Sequence, residues 1–123
     1  MNDSVLRERS KLFARRIVVL CRELRRNHVE FVLINQLLAS GTSVGANLHE
    51  AQYAQGPRDF ISKMEIALKE CNETDFWLEL LADTDTIPKE TGASLRQDCL
   101  ELRRMLVSTI RTMKSKLDGF QSK

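Results

Sequence analysis

The chain has 123 residues, a formal net charge of +2, and 29% charged against 42% hydrophobic residues. That length suits one domain with a real core. Two prolines, five glycines and helix formers throughout predict an all-α chain, and three cysteines in an odd count lack metal-ligand spacing. Met1 to Asn27 is charged throughout and holds no apolar h-region, so no secretory leader is expected. With Cys71 and Cys99 at core positions of their helices, the cysteines read as small buried hydrophobes in a reducing cytoplasm.

Four helices are predicted, over residues 4–27, 29–54, 57–82 and 88–117. The first starts at Asp3 or Ser4, a good N-cap, and carries Leu6, Phe13, Ile17, Leu20 and Leu24 on one stripe. Arg7, Lys11, Arg15, Arg22 and Arg26 line its opposite face. On the second, Phe31, Ile34, Leu38, Gly41, Gly45 and Leu48 are placed on the core side, and Gln36, Ser40, Ser43, Asn47 and Glu50 form a separate small and polar stripe. Each of the two glycines costs roughly 1 kcal/mol of helix propensity against alanine, which a helix bears where another backbone comes close.

Gln55-Gly56-Pro57 is the clearest break, with Gly56 suiting a helix end and Pro57 the first turn of the next helix. The third helix has Phe60, Met64, Ala67, Leu68, Cys71 and Leu78 on one apolar face and Ile66, Phe76, Trp77 and Leu80 on a second. A helix apolar on two sides needs two things to pack against, which favours oligomerisation. Pro88 fits the start of the fourth helix, Gly119 is a plausible stop, and Leu95, Cys99, Leu102, Leu106, Ile110, Met113 and Leu117 form a near-heptad seam. Connections this short predict an antiparallel, up-down-up-down four-helix bundle.

No Asp, Glu, Lys or Arg occurs from Phe31 to His49, nineteen residues. Asn35, Gln36, Asn47, Ser40, Thr42 and Ser43 argue against a membrane span, since hydrocarbon supplies none of their partners. The better reading is a helix surrounded by protein, and a chain this short hardly encloses one alone, so copies of the chain are the expected cover.

Charge is uneven. Residues 1–28 hold eight Lys or Arg against three Asp or Glu, residues 29–86 three against ten, and residues 87–123 eight against four. Helices one and four are neighbours in an up-down bundle, so their basic residues are expected side by side, as a surface attractive to phosphate backbones. A solvated basic face that only keeps the protein soluble is the bland alternative. With little aromatic interleaving, any nucleic-acid contact is expected to be electrostatic and weakly sequence-specific.

Catalysis has little support. His49-Glu50 lacks a second histidine, so no zincin helix is present, and the Glu-x-x-His pairs of di-iron bundles are absent. Glu70-x-x-Glu73 without histidine is a poor metal site, so no metal or cofactor is expected. Glu50, Glu70 or Glu73 is instead expected to pair with Lys63 or Lys69 inside the packed region. Ser40, Thr42 and Ser43 are expected to satisfy backbone carbonyls.

Gln36, Leu37, Ser40, Ser43, Val44, Ala46, Asn47, Leu48 and Glu50, then Asp59 and Phe60, then Ile66, Ala67, Lys69, Glu70, Glu73, Phe76, Trp77 and Leu78 form a long signature of polar and small residues at fixed spacing. It resembles that of the bacterial 23S rRNA intervening-sequence proteins, departing mildly at Ala39, where Arg or Lys is common, and at Phe76, where Tyr is common. The resemblance implies a non-enzymatic homopentamer of four-helix bundles. It also implies kinship in fold with the accessory variability determinant proteins of diversity-generating retroelements, which are basic, pentameric and bind nucleic acid. The candidate phosphate contacts are Arg15, Arg22, Arg25, Arg26, Arg103, Arg104 and Arg111. The alternative is an assembly scaffold whose basic face docks an acidic protein.

Overall fold

The computed structural model describes residues 3–121, all but the connections lying in four helices: α1 (Asp3–Arg26), α2 (Phe31–Ala51), α3 (Pro57–Asp83) and α4 (Lys89–Gln121). No strand occurs among the described residues. The helices form a ring in which α1 meets α2 and α4, and α3 meets α2 and α4, while the diagonal pairs stay apart. Leu6, Phe13, Ile17, Leu20 and Leu24 of α1 and Leu95, Cys99, Leu102, Leu106 and Ile110 of α4 are buried, as their spacing predicts.

Chain reversals explain where the helices stop. The Val29 N–H donates to the Leu24 carbonyl at 3.1 Å and the His28 N–H to that of Arg25 at 3.1 Å, a Schellman closure. His28 takes the left-handed position, φ 58°, that glycine more often occupies. Val29 therefore closes α1 and does not open α2, which starts two residues later than its sequence suggests. The same closure ends α3, with Thr86 N–H donating to the Leu81 carbonyl and Asp85 at φ 57°.

The ends of α2 and α4 also move, and Gly56 changes role while α3 starts at Pro57 as expected. Gln52, Tyr53 and Ala54 donate to carbonyls three residues back, a tightened last turn, so α2 proper ends at Ala51. Gly56 begins α3 as its N-cap, its carbonyl accepting from Phe60 N–H at 3.0 Å, with Pro57 in the first turn. Gly119 lies within α4, which runs on to Gln121. Since α1 begins at Asp3, its cap position falls outside the described residues.

The phase of α2 differs from the expected one. Ile34, Leu37, Ser40, Gly41, Val44, Leu48 and Ala51 are buried, whereas Leu38 is half-buried and Phe31 is 67% exposed. A stretch without charges offers only the weak contrast of small hydroxyls and amides to fix which side faces in, and Phe31 sits in the first turn of the helix. The two glycines do bring α1 close. A Cβ on Gly45 would stand 3.4 Å from the Ser10 carbonyl oxygen, and one on Gly41 would stand 2.8 Å from both Cγ atoms of Ile17.

On α3 the buried line is Ile61, Met64, Ala67, Cys71, Thr74, Leu78 and Leu81. Trp77 and Leu80 are half-buried, while Ile66 and Phe76 are 38% and 54% exposed. The second apolar side of α3 thus exists and is only partly covered within one chain.

Candidate functional site

The signature residues of α2 turn their polarity onto their own helix. Ser40 Oγ donates to the Leu37 carbonyl at 3.3 Å, Ser43 Oγ to Ala39 at 2.6 Å, and Thr42 Oγ1 to Leu38 at 2.7 Å. Asn47 Nδ2 donates to the Ser43 carbonyl at 2.8 Å. Short hydroxyls that back-bond in this way need no outside partner, so Ser40 is buried without cost to satisfaction. Gln36 is exposed.

Lys63 Nζ meets Glu50 at 3.8 Å, but the Glu50 side chain is 60% exposed. The expected pair therefore forms on the surface, because both residues sit at the α2–α3 rim and not inside the packed region. Glu70 is half-buried and Lys69 exposed, and neither joins an ion pair. Glu73 Oε2 accepts a long 3.5 Å bond from Trp77 Nε1, and Trp77 meets Phe76 edge to face at 5.0 Å. Asp59 Oδ2 accepts from the Gln55 N–H at 3.1 Å, tying the break to the first turn of α3, beside half-buried Phe60.

The cations fall into two groups. Arg9 reaches Glu101 at 3.3 Å, Arg16 reaches Asp98 at 2.6 Å and Ser94 at 3.0 Å, Arg96 holds Asp75 and Glu79 at 2.9 Å each, and Lys114 reaches Glu65 at 3.0 Å. The Asp75 hydrogen bond and the surrounding carboxylates hold the Arg96 guanidinium even more firmly protonated than usual. By contrast Arg15, Arg22, Arg25, Arg26, Arg103, Arg104 and Arg111 are all exposed, and none makes an ion pair with a described residue.

Those seven do not share one face. Residues of the α1–α4 seam include Arg9, Leu12, Arg16, Asp98 and Glu101, none of the seven. The helical period turns Arg15, Arg22 and Arg26 to the side of α1 opposite its buried stripe. Arg103 instead borders the α3–α4 groove with Arg96 and Asp75, and Arg111 borders the same seam nearer the end of α4. The basic residues of α1 and α4 are not side by side as expected: at the seam Arg9 and Arg16 of α1 face the carboxylates Glu101 and Asp98 of α4.

All three cysteines are buried and free. Cys21 Sγ lies 3.8 Å from the Ile34 carbonyl, and burial pushes its thiol up to about 11, with the Arg25 charge acting the other way. Cys71 Sγ donates to the Cys99 carbonyl at 3.3 Å, and the Cys99 thiol is held far above its ordinary range by its hydrogen bond with Cys71 and by burial. Among the described residues no three His, Cys, Asp or Glu side chains come together to hold a metal ion. Nor is any described helix long and apolar enough to cross a membrane.

The arrangement is that of a small, all-helical protein whose distinctive chemistry is exposed guanidinium groups. The chain belongs to the 23S rRNA-intervening sequence protein family, whose sequence model matches residues 2–108. It is similar to a protein with unknown function of the S23 ribosomal protein family from Bacteroides thetaiotaomicron, seen in a crystal structure. The two are 48% identical, with a TM-score of 0.87 over 90% of this chain and 99% of the other. No curated protein matches.

Proposed function

We propose that this protein is a non-enzymatic, oligomeric accessory protein of the cytoplasm that binds the phosphate backbone of RNA or DNA. The observation that carries the reading is the division of its cations. Arginines that meet a carboxylate are spent on holding helices together, while Arg15, Arg22, Arg25, Arg26, Arg103, Arg104 and Arg111 are exposed and unpaired among the described residues. A guanidinium with no internal partner is available to a phosphate, and several on one particle give the salt-dependent, sequence-tolerant binding of a polyanion.

Each subunit is an antiparallel up-down-up-down bundle in this reading. The crossed order of the ion pairs supports it: Arg9 with Glu101 and Arg16 with Asp98 on one seam, Glu65 with Lys114 and Asp75 with Arg96 on another. Subunits associate through α2 and α3, the helices that carry the uncharged stretch and the incompletely covered Ile66, Phe76, Trp77 and Leu80. Five subunits is the count that the family resemblance implies.

Gel-shift titration of the full chain with a structured RNA and with duplex DNA across a salt series tests the binding. Affinity is expected to fall steeply with salt, and Arg15→Glu, Arg22→Glu and Arg26→Glu combined are expected to weaken it at least tenfold. No binding at low salt, or binding indifferent to those changes, would end the proposal. Light scattering tests the assembly separately, and a monomer mass for the wild type would remove that part alone.

A further inference from the structure

The flank of α1 turned toward α2 carries a second set of cations that the seven arginines do not include. Arg7 and Lys11, one turn apart, stand over one rim of an open groove of about 560 Å³, and His49 stands on α2 across from them. The groove is lined between them by Ala14, Thr42, Gly45 and Ala46. Gly45 approaches the Ser10 backbone, which brings the helices close and leaves short side chains beneath long cationic ones.

What leaves these charges free is the composition of α2. No carboxylate occurs from Phe31 to His49, so α2 offers Arg7 and Lys11 nothing of the kind that α4 offers Arg9 and Arg16. Glu50, the first acid after the gap, is engaged with Lys63 of α3. Among the described residues Glu8 is the single carboxylate lining the groove, against Arg7, Lys11 and the His49 imidazole, and no described residue forms an ion pair with any of those three. His49 is steadied edge-on against Tyr53, ring centroids 5.6 Å apart.

We infer that the α1–α2 groove is a phosphate-binding site, in which Arg7, Lys11 and His49 engage a phosphate of a polynucleotide backbone. The inference rests on the nucleic-acid reading above and sharpens it, giving the backbone a defined point of entry. Donors on two helices suit the tetrahedral set of oxygens on a phosphate, which accepts from several directions. From Lys11 the cations continue along α1 through Arg15, Arg22 and Arg25, steps of four, seven and three residues that advance about 6, 10 and 5 Å. A chain of phosphates follows such a line; an isolated carboxylate uses one step of it.

The test titrates isotope-labelled full-length protein with sodium pyrophosphate at constant ionic strength, following amide shifts. Saturable shifts at Lys11, Thr42, Gly45, Ala46 and His49, lost in Arg7→Gln/Lys11→Gln, kept in Lys116→Gln on α4 and restored by Lys11→Arg with Arg7 intact, are expected. The glutamine changes remove no internal ion pair, and unchanged circular dichroism verifies the fold. Absent shifts, or shifts indifferent to the Arg7→Gln/Lys11→Gln change, overturn the site. A second arm uses a fluorescein-labelled 20-nucleotide single-stranded RNA. The double change is expected to raise its Kd at least tenfold and to flatten the log–log salt slope by about 1.4, two phosphate contacts fewer. If pyrophosphate binds the groove and RNA does not bind at all, the nucleic-acid reading falls and the phosphate site stands. If RNA binds with Arg7 and Lys11 irrelevant, the reverse holds.

Discussion

On the flank of α1 that meets α4, Arg9 and Arg16 each reach a carboxylate; on the flank that meets α2, Arg7 and Lys11 reach none. One helix, with the same kinds of side chain on both sides, is a structural tie on one and an open cationic surface on the other. The neighbour makes the difference. Helix α4 supplies Asp98 and Glu101, whereas α2 supplies glycine, alanine and hydroxyls that bond to their own carbonyls. A charged residue's role is therefore read from the helix opposite, and counting charges along α1 alone does not reveal it.

Phe13 sits beneath the α1–α4 seam, fully buried, and Phe13→Ala should cost about 3–5 kcal/mol by chemical denaturation, the largest effect expected on either flank. On the other flank Gly41→Ala drives a Cβ into the rigid, buried Ile17. About 1–3 kcal/mol of overpacking is expected, partly offset by improved helix propensity. Gly45→Ala, whose Cβ meets only ordinary contact distance, should be neutral or slightly stabilising, and equal losses at both positions would refute the difference in closeness.

Arg16→Ala should lose no more than about 1 kcal/mol, since its pair with Asp98 is substantially exposed, and Lys11→Ala should leave the denaturation midpoint unmoved. The pair of variants reports directly on which flank is structural. A further effect is invisible at neutral pH. Cys21, near the α1–α2 seam, holds its proton more tightly folded than unfolded, so its contribution is complete below its ordinary value of 9.0 and fades as pH rises toward about 11. Wild type should lose more stability over that interval than Cys21→Ala, as read from urea midpoints at stepped pH.

Much of the fold was legible because α1 and α4 contrast apolar and charged residues at every turn. Leu6 through Leu24 and Leu95 through Ile110 are buried as their spacing requires. Ser10 and Thr74 escaped notice because they are polar, yet each occupies a core position and bonds a carbonyl of its own helix, Arg7 at 2.8 Å and Glu70 at 2.7 Å. Helix α2 was misphased for the opposite reason, since without charges Leu37 and Leu38 look alike. The turns were hidden because His28 and Asp85 do work that glycine usually advertises. At the candidate site, Arg7 and Lys11 were visible as part of a basic stripe and His49 as a lone histidine. Only the packing of α1 on α2 brings the three to one groove. The signal available beforehand was the carboxylate-free run itself, which says what α2 withholds from its neighbours.

Helix α4 outlasts α1 and continues along α3, where Lys114 reaches Glu65. Its 33 residues span roughly 50 Å against about 36 Å for the 24 of α1, and residues 111–119 contain no fully buried side chain. The family match itself ends at residue 108. A segment that rests on α3 and buries no side chain fully tolerates a label on its outer side better than the packed seams do. A fluorophore attached at Ser115, one turn beyond Arg111, would sit beside a candidate phosphate contact and signal the arrival of a bound strand.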